Sequence, residues 1–133
     1  MPATLVYLDS SALVKLVVHE EETDALRAWL SSHPGTVSSA LAVAEVRRAI
    51  GRVSARRSLA DRARLVLDGV ALLAVDIAVL ESAAGLKPPE LRTLDAIHVA
   101  SALSLGADLL AFVTYDERQA SAARKAGLPV QSP

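Results

Sequence analysis

The chain has 133 residues, of which 52% are hydrophobic and 22% charged; this fits one domain, 1–133, with a substantial core, and excludes intrinsic disorder. No uncharged stretch approaches the roughly 18 residues needed to cross a bilayer, and residues 1–20 mix acids and bases without a signal-peptide layout, so a soluble cytoplasmic protein is expected. Cysteine is absent, which excludes disulfides, thiolate zinc sites and cysteine nucleophiles and leaves oxygen or imidazole to hold any metal.

In chain order, the apolar run Leu5 to Leu8 reads as a strand, followed by a helix from about Ser11 to Val18 and an amphipathic helix from about Glu21 to Ser31 that buries Leu26, Trp29 and Leu30. Pro34-Gly35 breaks the chain, Thr36 to Ser39 suits a short strand, and two helices follow over Ala40–Val53 and Ser58–Leu67. After Gly69 a third strand covers Ala71 to Val75, and Asp76 caps a helix from Ile77 to Gly85 that stops before Lys87-Pro88-Pro89. A helix opens at Thr93, which is expected to cap it, and runs to Leu105 with Gly106 as the stop. Strand Leu109 to Val113, helix Glu117 to Ala126 and a last strand around Val130 complete the chain. This alternation predicts an α/β fold, a central parallel sheet with helices on both faces.

Four acids fall at telling places on that scaffold. Asp9 and Asp116 follow apolar strands, where open parallel sheets bind their ligands. Asp95 lies in the first turn of a helix, and Glu45 lies one turn inside another, amid Ala44, Val43 and Val46. An ionised carboxylate in such apolar surroundings needs a partner. Clustered carboxylates repel one another, so some hold protons unless a hard cation, Mg2+ or Mn2+, binds their oxygens. Such ions make water a nucleophile and stabilise the charge of phosphodiester displacement. Net charge is -1, and neutralising the quartet with two divalent ions would move it to +3, because two ions add four positive charges. Seven of the 14 Lys and Arg residues are arginines packed between Arg47 and Arg64 against the single acid Asp61, an arm suited to a polyanion.

Four stretches, Leu8-Asp9-Ser10-Ser11-Ala12-Leu13, Ala44-Glu45-Val46-Arg47-Arg48, Leu91-Arg92-Thr93-Leu94-Asp95-Ala96-Ile97-His98-Val99-Ala100-Ser101-Ala102 and Thr114-Tyr115-Asp116-Glu117-Arg118, occur in an order and spacing that resembles the PIN-domain ribonucleases, in particular the VapC-type toxins of prokaryotic toxin–antitoxin pairs. The resemblance covers almost the whole chain. It implies a three-layer α/β/α PIN-like domain and divalent-metal-dependent endoribonuclease activity. Asp9, Glu45, Asp95 and Asp116 then match the acidic positions, with Asp9 and Asp95 as direct metal ligands and the others acting directly or through water. Ser10 and Thr114 match supporting hydroxyl positions, whereas Glu117 stays outside the quartet. The resemblance further implies a cognate antitoxin protein as partner and a homodimer. Arg48, Arg52 and Arg92 are the candidate RNA contacts.

Ordinary structural roles compete with these assignments. Asp9 would stop a strand, Asp95 would meet a helix macrodipole, Asp116 would sit in a turn, and the arginine arm would be a solvated helix pair. His98 reads as a packed core histidine, His19 and His33 as surface residues, and no histidine spacing suggests zinc. A dehalogenase-like phosphatase needs a second aspartate where Ser11 stands, a receiver domain needs a lysine after its last long strand, and neither G-x-S-x-G nor a glycine-rich phosphate loop is present. The rival from another class is a non-catalytic PIN-like module that binds RNA or protein.

Overall fold

Parallel strands cannot be joined by tight turns, and the helical stretches between the apolar runs supply the crossovers they need. In the computed structural model, which describes residues 2–133, the order is β1 (Leu5–Leu8), α1 (Ser10–Val17), α2 (Thr23–Ser31), β2 (Thr36–Ser39), α3 (Leu41–Val53), α4 (Arg57–Asp68), β3 (Ala71–Leu73), α5 (Ile77–Ala84), α6 (Thr93–Leu103), a 3-10 turn (Gly106–Asp108), β4 (Leu109–Val113), α7 (Glu117–Lys125) and β5 (Val130–Gln131). The five strands form one sheet in the order β3-β2-β1-β4-β5. Every neighbouring pair is parallel, with Tyr7 opposite Val37 on one side and Phe112 on the other. The chain leaves β1 toward β2 and β3, then returns past it to lay down β4. The order therefore reverses between β1 and β4, and the crevice at their carboxyl ends is the switch point where such sheets bind ligands.

Strand alternation sorts the core into layers. Val6, Leu8, Ala111 and Val113 face α1 to α4 and pack with Leu13, Val17, Leu26, Val46, Ile50 and Leu67. Tyr7, Val37 and Phe112 face the other way, onto Val99 and Ala102 of α6 and Ala122 and Ala123 of α7. Outside α6 lies α5, whose Val79 and Ala83 meet Ala96, Ile97 and Ala100. Sandwiched between the sheet and α5, α6 is buried without a break from Ala96 to Ala102, so it lacks the one-sided pattern of a surface helix.

Capping sets the helix boundaries. Asp9 caps α1 by accepting from the Ala12 amide, and Asp76 caps α5 through Val79. Thr93, expected to cap α6, takes its first helical position instead, beyond the cap; Arg92 is the N-cap residue and makes no side-chain cap bond. The start of α2 falls two residues after Glu21 because the Thr23 hydroxyl ties down the preceding turn, accepting from Glu20 N at 2.8 Å and donating to Lys15 O at 2.8 Å. Leu26 is fully buried, but Trp29 and Leu30 are only half-buried at the rim of the core, where His33 stacks on the indole at 4.1 Å. α6 ends at Leu103, two residues before the expected Leu105, and Gly106 opens the 3-10 turn beyond it with φ +54, a left-handed conformation that a side chain resists.

At the centre of the second layer, the Tyr7 and Phe112 rings stack with centroids 5.3 Å apart and planes 4° from parallel, both fully buried. Phe112→Ala opens a cavity there and is expected to lower stability by about 3–5 kcal/mol. Leu65→Ala, at a side chain 73% exposed, is expected to change it by less than about 0.5 kcal/mol. Urea denaturation of the two variants checks the contrast.

Candidate active site

Asp9 leaves β1 directly into α1, so its carboxylate is fixed between the end of a strand and the first turn of a helix. It is 3% exposed. Oδ1 accepts from Ser11 Oγ at 2.6 Å and Ala12 N at 3.0 Å, and Oδ2 accepts a short bond from the Thr114 hydroxyl just beyond β4. Ser11 Oγ in turn accepts from Tyr115 N at 3.0 Å, and Thr114 Oγ1 accepts from Asp116 N at 3.1 Å. These bonds lace the ends of β1 and β4 together around one buried charge. Burial pushes the Asp9 carboxyl above its ordinary range, and the donors from Ser11, Thr114 and Ala12 and the pull of His98 offset this only in part.

Glu45 reaches the same end of the sheet from α3. Its Oε1 accepts from Ser10 Oγ at 2.7 Å and lies 2.6 Å from His98 Nε2. The other ring nitrogen of His98 meets the Tyr7 hydroxyl at 2.7 Å. Burial opposes ionisation of Glu45, but the hydrogen bond and electrostatic pull of His98 and the Ser10 hydroxyl outweigh it and hold the carboxyl below its ordinary range.

Asp95 is half-buried in the first turn of α6. Burial, then the charge of Asp116, pushes its carboxyl up, and Glu45 adds to the push while His98 and Arg92 pull the other way. Asp116 is exposed and caps α7, its Oδ1 accepting from Arg118 N at 2.8 Å and Gln119 N at 3.1 Å. The turn role expected of this residue is real, and it engages one carboxylate oxygen. All four acids thus gather at one end of the sheet. Among the described residues no three His, Asp or Glu side chains are grouped, as placed, to hold a metal ion. The donor set is oxygen-rich, free of thiolates and strained by like charge, and the half-buried Asp95 and exposed Asp116 have room to turn, so the site fits a hard divalent ion.

The Ser10 and Thr114 hydroxyls donate to Glu45 and Asp9 respectively. Two site residues were not foreseen from sequence. Ser11 looked like an ordinary helix-start serine but donates to Asp9, and His98 is buried as expected while also holding Glu45. The candidate arginines divide. Arg52 lines a shallow cleft with Ser10, Ser11 and Glu45, and Arg92 lines a cleft of about 490 Å3 with Asp95, Arg118 and Lys125. Arg48 does not join them, lying with Arg47 and Arg56 along a separate groove between α3 and α4.

A profile of the PIN domain family matches residues 6–125. Ribonuclease VapC46 of Mycobacterium tuberculosis is 52% identical over 129 residues, covering 96% of this chain and 97% of that protein. Ribonuclease VapC47 of the same species is 39% identical over 133 residues, 97% of each. Among solved structures, M. tuberculosis VapC20, a sarcin–ricin loop cleaving toxin, has a TM-score of 0.74 at 20% identity, covering 96% of this chain and 99% of that one. VapBC2 of Rickettsia felis bound to a promoter DNA fragment also has a TM-score of 0.74, at 12% identity over 97% and 98% of the two chains. The distant structures share the fold, and identity as high as 52% along nearly the full length of both proteins goes further: the chain belongs to the PIN domain family, within its VapC branch.

Proposed function

We propose that this protein is an endoribonuclease, the toxin of a toxin–antitoxin pair, and that it hydrolyses RNA phosphodiester bonds with a divalent ion held by Asp9 and Asp95, and by Glu45 and Asp116 directly or through water. The observation that carries the reading is the like-charged carboxylate cluster around buried Asp9 at the β1/β4 switch point, supported by 52% identity to a ribonuclease. When bound, Mg2+ or Mn2+ supplies Lewis acidity and a water acidified toward hydroxide. The chain supplies the rest. Asp9 is held rigid by three donors, so its oxygens do not move as the reaction proceeds. Glu45 is kept ionised by His98 and Ser10, and its Oε2, which takes no hydrogen bond from the described residues, is available to accept the proton of the attacking water. Arg52 and Arg92, on two clefts that each hold an acid of the site, Glu45 in one and Asp95 in the other, hold phosphates either side of the scissile one. The complete quartet favours cleavage over binding alone.

A cognate antitoxin belongs to the same proposal. The α3–α4 groove, about 650 Å3, is lined by Val43, Ala44 and Ile50 with Arg47, Arg48 and Arg56 along it, which suits an antitoxin segment with apolar and acidic side chains. A homodimer would cover apolar side chains left exposed on α5, Ile77 and Leu80.

Asp9→Asn and Asp95→Asn are each expected to lower Mn2+-dependent cleavage of an RNA pool by more than the roughly 10–100-fold typical of losing an outer-sphere partner, with an unchanged far-ultraviolet circular dichroism spectrum. Cutting at the wild-type rate by both would remove these acids from the site.

Replacing Arg52 and Arg92 together by Ala is expected to reduce the slope of log affinity against log salt for single-stranded RNA by about 1.4, two phosphate contacts at about 0.7 each. Arg48→Ala is expected to leave the slope unchanged. Fluorescence anisotropy with catalytically silent Asp95→Asn protein reads both.

The raised carboxyls of Asp9 and Asp95 also carry a pH dependence with a definite sign. From the ordinary aspartate value of 3.8 upward, the fold keeps protons that the unfolded chain has released, so stability without metal falls as pH rises through that window. Glu45, with its carboxyl lowered, acts oppositely, losing its contribution as pH drops below the ordinary 4.5. Asp9→Asn removes the buried charge while keeping an acceptor for Ser11 and Ala12. In metal-free buffer at pH 7 it is expected to raise Tm by a few degrees, about 3 °C per kcal/mol, with the gain shrinking toward pH 4. Differential scanning calorimetry at the two pH values measures it.

A further inference from the structure

The acids and hydroxyls at the switch point do not account for His98 and Tyr7, which lie beneath them as a second, wholly buried tier. Tyr7 is on β1 and faces the α6 layer, His98 is one turn inside α6, and Glu45 is on α3 in the opposite layer. The contacts from Tyr7 Oη to His98 Nδ1, 2.7 Å, and from His98 Nε2 to Glu45 Oε1, 2.6 Å, join residues 91 and 53 positions apart in sequence. Ser10 Oγ, 2.7 Å from Glu45 Oε1 and 3.2 Å from His98 Nε2, sits beside this junction, so Glu45 meets the second layer at His98. His98 is 2% exposed and Tyr7 is fully buried, so neither has water to turn toward.

Chemistry fixes the direction of each bond. Ionised Glu45 only accepts, so Nε2 carries the proton. The buried Tyr7 hydroxyl, 2.7 Å from Nδ1, has one proton to give. Ser38 donates to Leu8 O at 2.6 Å, and the hydrogen bond the phenol makes among the described residues is the one to His98 Nδ1. The buried Ser101 Oγ, one turn after His98, makes no hydrogen bond among the described residues. The order Tyr7 to His98 to Glu45 puts one proton on each bond. The edge-on contact of the two rings, centroids 5.8 Å apart and planes at 76°, keeps the imidazole from rotating.

We propose that His98 is a positioning residue for Glu45: held by Tyr7 as the Nε2–H tautomer, it pins Oε1 together with Ser10 and thereby leaves Oε2 aimed for use. This rests on the ribonuclease reading for its purpose, but the tautomer and the carboxylate's grip on a metal are readable without cleavage. A histidine that merely packed the core would serve in either tautomer and would be replaced equally well by any side chain of its volume.

The test has three readouts on the full chain. Nitrogen-15 NMR of the wild type is expected to show His98 with Nε2 protonated and Nδ1 bare at neutral pH; the Nδ1–H tautomer overturns the proposal. Titration calorimetry with Mn2+ alone is expected to show a Kd raised about 10–100-fold in His98→Asn, whose amide can reach Tyr7 but not Glu45, and in Glu45→Gln. His98→Gln, whose amide nitrogen falls near the Nε2 position, is expected to restore most of that affinity. Single-turnover cleavage should follow the same order in kcat with KM unchanged. Equal Mn2+ affinity and kcat in wild type and His98→Asn, or equal losses in the Asn and Gln variants at matched Tm, overturns the positioning role. A wild-type chain that neither binds Mn2+ nor cuts RNA sinks the ribonuclease reading itself and the relay's purpose with it. The NMR measurement needs no variant to fold.

Discussion

One buried negative charge organises this molecule. A carboxylate taken out of water is costly unless several donors meet it, and Asp9 is met by three, from Ser11, Ala12 and Thr114. Those donors come from two chain segments more than a hundred residues apart, so satisfying the charge requires the ends of β1 and β4 to be held in one register. The fold supplies that register with Val6, Leu8, Ala111 and Val113 packed on one face and Tyr7 against Phe112 on the other. The core keeps Asp9 dry, and Asp9 in return dictates what stands at the strand ends. Even so the offset is incomplete, since burial still holds its carboxyl above the ordinary range. A charge kept at such a site at a cost in stability is what a function-bearing position looks like.

The other acids show the environment separating like groups. Glu45 is pulled below its ordinary range by a histidine and a serine, whereas Asp95 is pushed above by burial and the neighbouring Asp116. Carboxyls driven apart in this way are suited to different roles: one is held as an ionised acceptor, and the other would gain most from a cation, which would cancel the repulsion that perturbs it. Asp116 divides itself, with Oδ1 committed to the first turn of α7. The ordinary reading of a residue and its functional one therefore need not compete, because a carboxylate has two oxygens.

Most of the fold was legible because it is written in local signals. Apolar runs bounded by Pro34-Gly35, Gly69 and Gly106 and helices opened by Asp9 and Asp76 put nearly every element within two residues of its place. The strand order was not legible, since nothing local says that β4 returns to the far side of β1. Trp29 and Leu30 looked like core because hydrophobic spacing reports which face of a helix turns inward, and not how far that face extends past the sheet it covers. His98 sits in the longest buried helical stretch of the chain, so its pattern is that of packing, and its partners Tyr7 and Glu45 are too distant in sequence to mark it. Ser11 was hidden differently. Two adjacent serines at a helix start look interchangeable, yet Ser10 serves Glu45 and Ser11 serves Asp9, because successive residues of a helix point about 100° apart.

The same geometry divides the arginine arm. Seven arginines in 18 residues read as one cationic surface, but the chain breaks between Val53 and Arg57, and each helix turns its own residues around its axis. Arg48 and Arg52 are four residues apart on α3, roughly neighbours on its surface, yet Arg48 borders the groove toward α4 and Arg52 the cleft holding Ser10 and Glu45. The second arginine at the acids, Arg92, comes from outside the arm, at the N-terminal end of α6. Charge density along a sequence thus measures how much positive potential a fold has to distribute, whereas the positions of helix axes decide which anion receives it. Here Arg52 and Arg92 lie beside acids that would otherwise repel a phosphate, and Arg47, Arg48 and Arg56 border a groove that contains none of those acids. A single basic patch would not separate the two surfaces in this way; the turning of residues around the α3 axis does, together with Arg92 supplied from the start of α6.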